Sequence, residues 1–194
     1  MLGLLIFLFI LLIIVIIYAL SGEYEDPARK AGREAEHYAT GIIQQAINDD
    51  DVLLTNVEVE YNGQRTELDN VIINKYGVFI IEVKYYSGDL TGNEDDYEWV
   101  KQHESHGGNI YEKSVKNPIK QVKRQVYILS RVFNYFGVRA CVDGYVYMIE
   151  NNSPVDSEYI LNNTDEIRRV IHSRSKQTLT KETISHIEKI LQRE

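Results

Sequence analysis

The sequence has little cysteine and no repeats, and both absences exclude classes of protein. Among 194 residues there is one cysteine, Cys141. A lone cysteine cannot form an intramolecular disulfide or a cysteine-rich zinc site, and it suits a reducing compartment. No internal repeat or low-complexity tract is present. The length of the chain leaves room for one domain of ordinary size and an appendage.

Charge is missing from the first twenty residues, which read MLGLLIFLFILLIIVIIYAL. As a helix rising about 1.5 Å per residue, this run would span roughly 30 Å, the thickness of a bilayer's hydrocarbon core. We expect a transmembrane helix at 1–20 and a juxtamembrane linker at 21–30. A cleaved signal peptide is the alternative, because Ala19-Leu20-Ser21 resembles a cleavage site. The run lacks a basic n-region, however, and is longer than a typical signal core.

The basic residues beside this segment predict its orientation. Arg29, Lys30 and Arg33 all lie on its C-terminal side. Cytoplasmic flanks of membrane helices are enriched in Lys and Arg. We therefore expect a single-pass protein of the cell membrane whose remaining domain faces the cytoplasm.

The chain as a whole lacks positive charge, with a formal net charge of −8. This argues against a protein that coats nucleic acid, because backbone binding needs Lys and Arg to displace counterions. One stretch departs from the average and contains no Asp or Glu, but seven basic residues: Lys113, Lys116, Lys120, Lys123, Arg124, Arg131 and Arg139. A solvated helix face and a nucleic-acid contact are both open explanations of it.

Periodicity after the linker predicts alternating helices and strands. The predicted elements are a helix at 31–47, strands at 52–61, 64–74 and 77–84, a short strand near 97–101, a helix from Pro118 capped by Asn117, a strand at 142–149, and helices at 164–172 (with Thr164 as cap) and 181–192. This order predicts an α/β (α+β) domain with a mixed central sheet flanked by helices. We place its core at 31–150 and a C-terminal helical extension at 151–194.

Two of these strands bring charged residues together. If Lys75 and Tyr76 form a two-residue hairpin loop, cross-strand pairing places Asp69 opposite Glu82, with Cβ atoms about 5 Å apart. Lys84 shares the face of Glu82 by strand alternation. Two carboxylates at this separation repel unless a cation lies between them, and hard oxygens suit Mg²⁺ or Mn²⁺.

Such a site meets the needs of phosphodiester hydrolysis. A metal activates water and neutralises charge on a phosphate, while an ammonium stabilises the transition state. The structural alternative is that Asp69 caps a turn while Glu82 and Lys84 pair with other charges at a sheet edge. A one-residue bulge would also send Asp69 to the opposite face.

Several segments resemble the nuclease-related domain (NERD) family, which is similar to the PD-(D/E)xK nucleases with their restriction-endonuclease-like fold. Those segments, in order, are Gly32 with Glu36, ELDNVII at 67–73, GVFIIEVK at 77–84 followed by Ser87-Gly88, Trp99, and Asn117-Pro118-Ile119-Lys120-Gln121. Two departures stand out. Ala35 occupies the place of the family's usual second glycine, and Asn70 a place where His is common.

The resemblance implies roles for these residues. Asp69 and Glu82 would be metal ligands for Mg²⁺ or Mn²⁺, with the Val83 carbonyl as a third. Lys84 would be the catalytic lysine. Glu36 would be an outer ligand or would position water, and Gln121 would orient Lys84 or the phosphate. The same helix carries Lys120, Lys123 and Arg124, which would receive a nucleic-acid backbone.

These observations predict a membrane-anchored, metal-dependent nuclease acting on DNA, or on RNA. The alternative is a catalytically inactive nucleic-acid-binding or protein-interaction module of the same fold.

Overall fold

The computed structural model describes residues 27–104, 108–173 and 178–193, together with Phe7, 9–13 and Val15. The chain divides into two compact units, Met1–Arg33 and Glu34–Glu194. In the first unit Phe7, 9–13 and Val15 are helical. The transmembrane helix predicted at 1–20 and the linker predicted at 21–30 lie largely outside the described residues. Among the residues that are described, no helix is both long enough and apolar enough to span a membrane.

The described elements form a mixed α+β fold, as the sequence predicted. In chain order they are α1 (Pro27–Gln44), β1 (Val52–Tyr61), β2 (Gln64–Asn74), β3 (Gly77–Lys84), β4 (Asp89–Thr91), β5 (Glu98–Glu104), β6 (Ile110–Lys116), α2 (Pro118–Tyr135), β7 (Val142–Met148), β8 (Ile160–Leu161), α3 (Thr164–Ile171) and α4 (Lys181–Leu191). A five-stranded sheet has the order β1-β2-β3-β7-β8, and a three-stranded sheet has the order β4-β5-β6. The larger sheet is mixed, since β1, β2 and β3 pair antiparallel while β3, β7 and β8 pair parallel.

Two tight turns set the register of the first three strands. Asn62 and Gly63 join β1 to β2 with φ angles of 50° and 75°, which suits a hairpin turn that needs positive φ at both positions. Lys75 and Tyr76 form the two-residue loop before β3. The predicted β2–β3 register is confirmed from Asn74–Gly77 to Asn70–Ile81, where the ladder ends.

Strand β3 is the centre of the larger sheet and is covered on both faces. Seven of its eight residues are buried, as its continuous apolar sequence predicted. One core packs one face of the sheet against α2 and α4, through residues such as Ile80, Ile128 and Ile187. The second core packs the opposite face against α1 and α3. The polar residues Glu82 and Lys84 therefore lie at the end of a strand that is covered on both faces.

Other parts of the prediction were incomplete or wrong. The segment 85–117 holds three strands, whereas the sequence predicted one. Strand β4 has only three residues, and β6 is exposed at six of its seven positions, so neither has an apolar pattern long enough to predict a strand. The short strand β8 was also missed. Asn163, not Thr164, caps α3, since its side chain accepts a hydrogen bond from the Glu166 N–H. Asn117 caps α2 and Pro118 occupies its first turn, as predicted.

Candidate active site

The end of the β2–β3 ladder positions two carboxylates. Asp69 and Glu82 are the next pair beyond Asn70–Ile81, where the ladder stops. The Asp69 Oδ2 atom accepts a hydrogen bond of 2.7 Å from the Val83 backbone N–H. Beyond the last backbone pair, the side chain of Asp69 therefore binds β3 directly, at the residue next to Glu82.

Glu82 is buried and is the centre of a hydrogen-bond network. It is only 1% exposed. Its Oε1 atom accepts from the Lys84 Nζ at 2.5 Å and from the Gln121 side-chain amide. Its Oε2 atom accepts from the Gln125 Nε2 at 2.6 Å. A buried carboxylate needs such donors to offset the loss of water.

Gln125 was missed from the sequence. It is fully buried, and its Nε2 also donates to the backbone carbonyl of Glu67 at 3.0 Å. A signal for it exists, because it follows Gln121 by four residues and so shares its face of α2. Helix α2 therefore contributes two amides to Glu82.

Gly144 allows α2 to come this close to the sheet. It lies on β7 and pairs with Ile80 of β3. A Cβ at this position would be 2.6 Å from Val126 Cγ2 and 2.7 Å from Val122 Cγ2, both on α2. Any larger residue would push away the helix that carries the two glutamines.

The charges at the site influence one another. Burial, and next the charge of Glu82, raise the pKa of Asp69 to about 7, although the Val83 hydrogen bond and Lys84 oppose this. Burial alone would lower the pKa of Lys84, but the Glu82 carboxylate outweighs it and the net pKa is raised. Lys84 is thus held as an ammonium, and the charged form of Asp69 is disfavoured in the folded protein.

Glu36 reaches the same electrostatic environment from α1. Burial, and then Glu67, raise its pKa, with Glu82 adding to the effect and Lys84 opposing it. One helical turn later, the Thr40 hydroxyl donates to the Glu36 carbonyl and lies 3.0 Å from Asn70 Oδ1. The charges of Lys84 and Glu82 therefore act on the Glu36 carboxylate, although no hydrogen bond or ion pair joins it to them among the described residues.

The three predicted nucleic-acid contacts lie on α2, in differing surroundings. Lys120 pairs with Asp95 at 3.2 Å, and Lys123 pairs with Glu94 at 3.1 Å. The Lys123 ammonium also lies 4.1 Å from the centre of the Tyr159 ring. Arg124 is exposed and forms no ion pair within the described chain. Exposed pairs such as these are worth about 0–1 kcal/mol, so a phosphate could displace either acid.

Asn117 and Trp99 hold the acidic loop that supplies these partners. The Asn117 side-chain amide donates to the carbonyls of Glu94 and Asp96 at 2.9 and 2.8 Å. The buried Trp99 donates to the Asn93 carbonyl at 2.9 Å. Both residues of the family pattern therefore shape the loop at 93–96 instead of touching Glu82.

The donor set fits a hard divalent cation bound through two carboxylates. Among the described residues, no group of three or more His, Cys, Asp or Glu side chains could hold a metal. Mg²⁺ often uses only one or two carboxylates and keeps several waters. Burial is the largest cause of the raised pKa of Asp69, and repulsion from Glu82 is the next; a cation between the two carboxylates would offset both. The hydrogen bond from Val83 uses only Oδ2 of Asp69, so Oδ1 is available as a ligand.

Comparison with known families bears on the whole of this region. The sequence model described as nuclease-related domain (NERD) matches residues 31–149, more than half of the chain. The match includes β1 to β7, α2 and each of the candidate site residues. Neither the curated proteins nor the solved structures include a match to the chain.

Proposed function

Because the chain belongs to the nuclease-related domain family, we propose that it is a membrane-anchored nuclease that hydrolyses DNA phosphodiester bonds with Mg²⁺ or Mn²⁺. Family membership by itself implies a nuclease-related function and nucleic-acid binding. The observation that supports turnover is the network around Glu82. In this network the Lys84 ammonium and two glutamine amides donate to the buried Glu82 carboxylate. Next to it lies Asp69, whose pKa is raised.

Asp69 and Glu82 would hold the cation in this proposal. When bound, the cation supplies Lewis acidity at the phosphate and lowers the pKa of a water molecule. The amides of Gln121 and Gln125 keep Glu82 in one orientation throughout, so little reorganisation is needed during the reaction.

Lys84 would stabilise the charge that develops on the phosphate oxygens. Its side chain is 20% exposed, so the ammonium can reach a substrate without leaving Glu82. Its raised pKa keeps it protonated at neutral pH. Glu36, on the α1 side, would position the attacking water, because its raised pKa makes it a better proton acceptor than an ordinary glutamate.

The membrane anchor is proposed from the sequence alone. The charge-free run at 1–20 has the length of a membrane span, and the basic residues follow it. The nuclease-related domain would then lie at the cytoplasmic face of the cell membrane. A signal peptide would instead leave a mature chain beginning at Ser21, which sequencing of its N-terminus would reveal.

A second function, an inactive module that binds nucleic acid or protein, is favoured by one feature of the same network. Three donors already engage both oxygens of Glu82. If this arrangement is permanent, the cluster is an internal ion pair and not a metal ligand set.

Cleavage assays on the full chain in neutral detergent distinguish the two functions. Linear, nicked, branched and single-stranded DNA, and RNA, would be incubated with Mg²⁺ or Mn²⁺. We expect cleavage that Asp69→Ala or Lys84→Ala lowers by roughly 100-fold or more. The exposed residues Glu60 and Lys113 provide matched controls, and Glu60→Gln and Lys113→Ala should cleave normally. Binding that survives the site changes, without cleavage of any substrate by the unchanged chain, would establish the inactive module instead.

A further inference from the structure

A groove with a volume of ≈ 900 Å³ opens beside the candidate active site. Its wall includes Gln121, whose amide donates to Glu82. Thr66 of β2, three residues before Asp69, lines the same groove. Ligand pockets typically measure roughly 300–1,000 Å³, so this groove has the size of a short polymer segment and not of a single ion.

The groove is basic, although the chain is acidic. Lys116, Lys120 and Arg124 line it, and Glu98 is the single acidic side chain in its wall. The Glu98 carboxylate accepts a hydrogen bond of 2.5 Å from the Ser114 hydroxyl. Neither Lys116 nor Arg124 forms an ion pair among the residues that the structure describes. An excess of positive charge in a chain of net charge −8 complements a phosphate backbone.

An exposed aromatic ring stands at the edge of the groove. Tyr97 is 88% exposed, the highest exposure among the large hydrophobic side chains that the structure describes. Its backbone is fixed, because its carbonyl accepts from the Asn117 N–H at 3.0 Å, directly before α2 begins. An exposed ring on a fixed backbone beside a basic groove can serve as a platform for stacking, and stacking needs a base whose face is open.

We propose that this groove, defined by Tyr97, Lys116, Arg124 and Gln121, binds an unpaired nucleic-acid strand and delivers it to Glu82. A base of the strand stacks on Tyr97, while phosphates lie against Lys116 and Arg124. Inside a duplex both faces of each base pair are covered by its neighbours, so the platform favours unpaired bases. The substrate class is therefore a single strand, or a duplex with a single-stranded overhang. This inference rests on the proposed function for the delivery step but not for binding.

Binding is measured without cleavage, so that failure of the groove and failure of the nuclease can be told apart. The full chain in neutral detergent and EDTA is titrated into a fluorescein-labelled DNA strand of about 20 nucleotides, the RNA strand of the same sequence, and the blunt DNA duplex. Fluorescence anisotropy gives each Kd at several salt concentrations. We expect a single strand to bind roughly tenfold more tightly than the duplex, and the tighter of the two strands identifies DNA or RNA as the ligand.

Variants of the platform and of the basic wall complete the test. Tyr97→Ala should weaken single-strand binding roughly tenfold, whereas Tyr97→Phe keeps the ring and should bind as the unchanged chain does. Lys116→Ala and Arg124→Ala should each reduce the salt dependence by about one phosphate contact. Tyr111 and Lys113, exposed on β6 outside the groove, give the matched controls Tyr111→Ala and Lys113→Ala.

Two results would overturn the proposal. One is equal affinity for single strand and duplex, and the other is single-strand binding that Tyr97→Ala leaves unchanged. Either result stands whether or not the chain cleaves DNA. Conversely, strand binding that depends on Tyr97 supports the groove even if no substrate is hydrolysed.

Discussion

Asp69 combines two roles that conflict in the metal-free protein. Its carboxylate fastens β3 through the Val83 N–H, yet it lies beside the buried charge of Glu82. The hydrogen bond needs only an acceptor oxygen, whereas the charge is needed only for a cation. The two roles can therefore be separated by a change to an amide.

Asp69→Asn should stabilise the protein in EDTA above neutral pH. The folded-state pKa of about 7 lies above the ordinary value of 3.8, so protonation favours the fold. The contribution of Asp69 is fully present below pH 3.8 and is lost as pH rises through about 7. Thermal unfolding at about pH 8 should show a melting temperature higher by about 2–4 °C in Asp69→Asn, since Asn keeps the acceptor oxygen.

The difference between the two proteins should shrink at about pH 5, where the native carboxyl is mostly protonated. Asp165 provides the control, because its side chain is 90% exposed and pairs with Arg168. Asp165→Asn should give no comparable gain at either pH. A melting temperature that falls in Asp69→Asn at about pH 8 would show that the charge of Asp69 stabilises the empty site.

At the scale of elements, two asparagine helix caps differ in the hydrogen bonds that their side chains form. Asn163 caps α3 through one hydrogen bond, from the Glu166 N–H. Asn117 caps α2 in the same manner, through the Ile119 N–H, but its amide also donates to carbonyls of the acidic loop. The second function requires N–H donors, which aspartate lacks.

Asn117→Asp should therefore destabilise the protein, while Asn163→Asp should not. Aspartate is as good a cap as asparagine, so both changes preserve the helix start. Asn117→Asp also removes the amide N–H donors of Asn117 and places a buried carboxylate against the backbone carbonyl oxygens that they bound. We expect a loss of about 2 kcal/mol or more in the free energy of unfolding for Asn117→Asp and less than about 0.5 kcal/mol for Asn163→Asp. Urea unfolding followed by Trp99 fluorescence measures both, and equal losses would contradict a second role for Asn117.

Elements with a local pattern could be predicted from the sequence, and those without one could not. The loop at Lys75-Tyr76 determines the pairing of β2 with β3, so the neighbourhood of Asp69 and Glu82 follows from counting residues. Asn117-Pro118 marks a helix start by its own chemistry. Strand β6 has no such pattern, because six of its seven residues are exposed and only one is partly buried.

Gln125 shows why part of the site was missed. A glutamine on a helix is usually a surface residue, and its burial here depends on the approach of α2 to Gly144 across the sheet. The approach of α2 to Gly144 is a tertiary contact, and the hydrophobic periodicity of the sequence does not predict it. The same holds for the ion pairs of Lys120 and Lys123, whose partners lie more than twenty residues earlier.

At the scale of the whole molecule, cation binding should raise the stability of the folded protein. A cation that binds only the folded chain raises the free energy of unfolding by about 2.7 kcal/mol at a concentration 100 times its Kd. We expect MgCl₂ or MnCl₂ to raise the melting temperature of the unchanged protein at constant ionic strength. The site changes Asp69→Asn and Glu82→Gln should each abolish the rise, while Glu60→Gln should retain it. A rise that persists in both site variants would place the cation elsewhere.

The parallel pairing of β3 with β7 has a consequence for the order of folding. Glu82 leaves the ribosome well before its partner strand Val142–Met148, and the glutamines that hold it lie between the two. A parallel pair cannot close until its crossover is complete, and such long-range closure is slow. A growing chain therefore carries all of its predicted metal ligands long before it carries an assembled site. Truncated translation products that end before β7 would therefore lack the strand that pairs with Glu82.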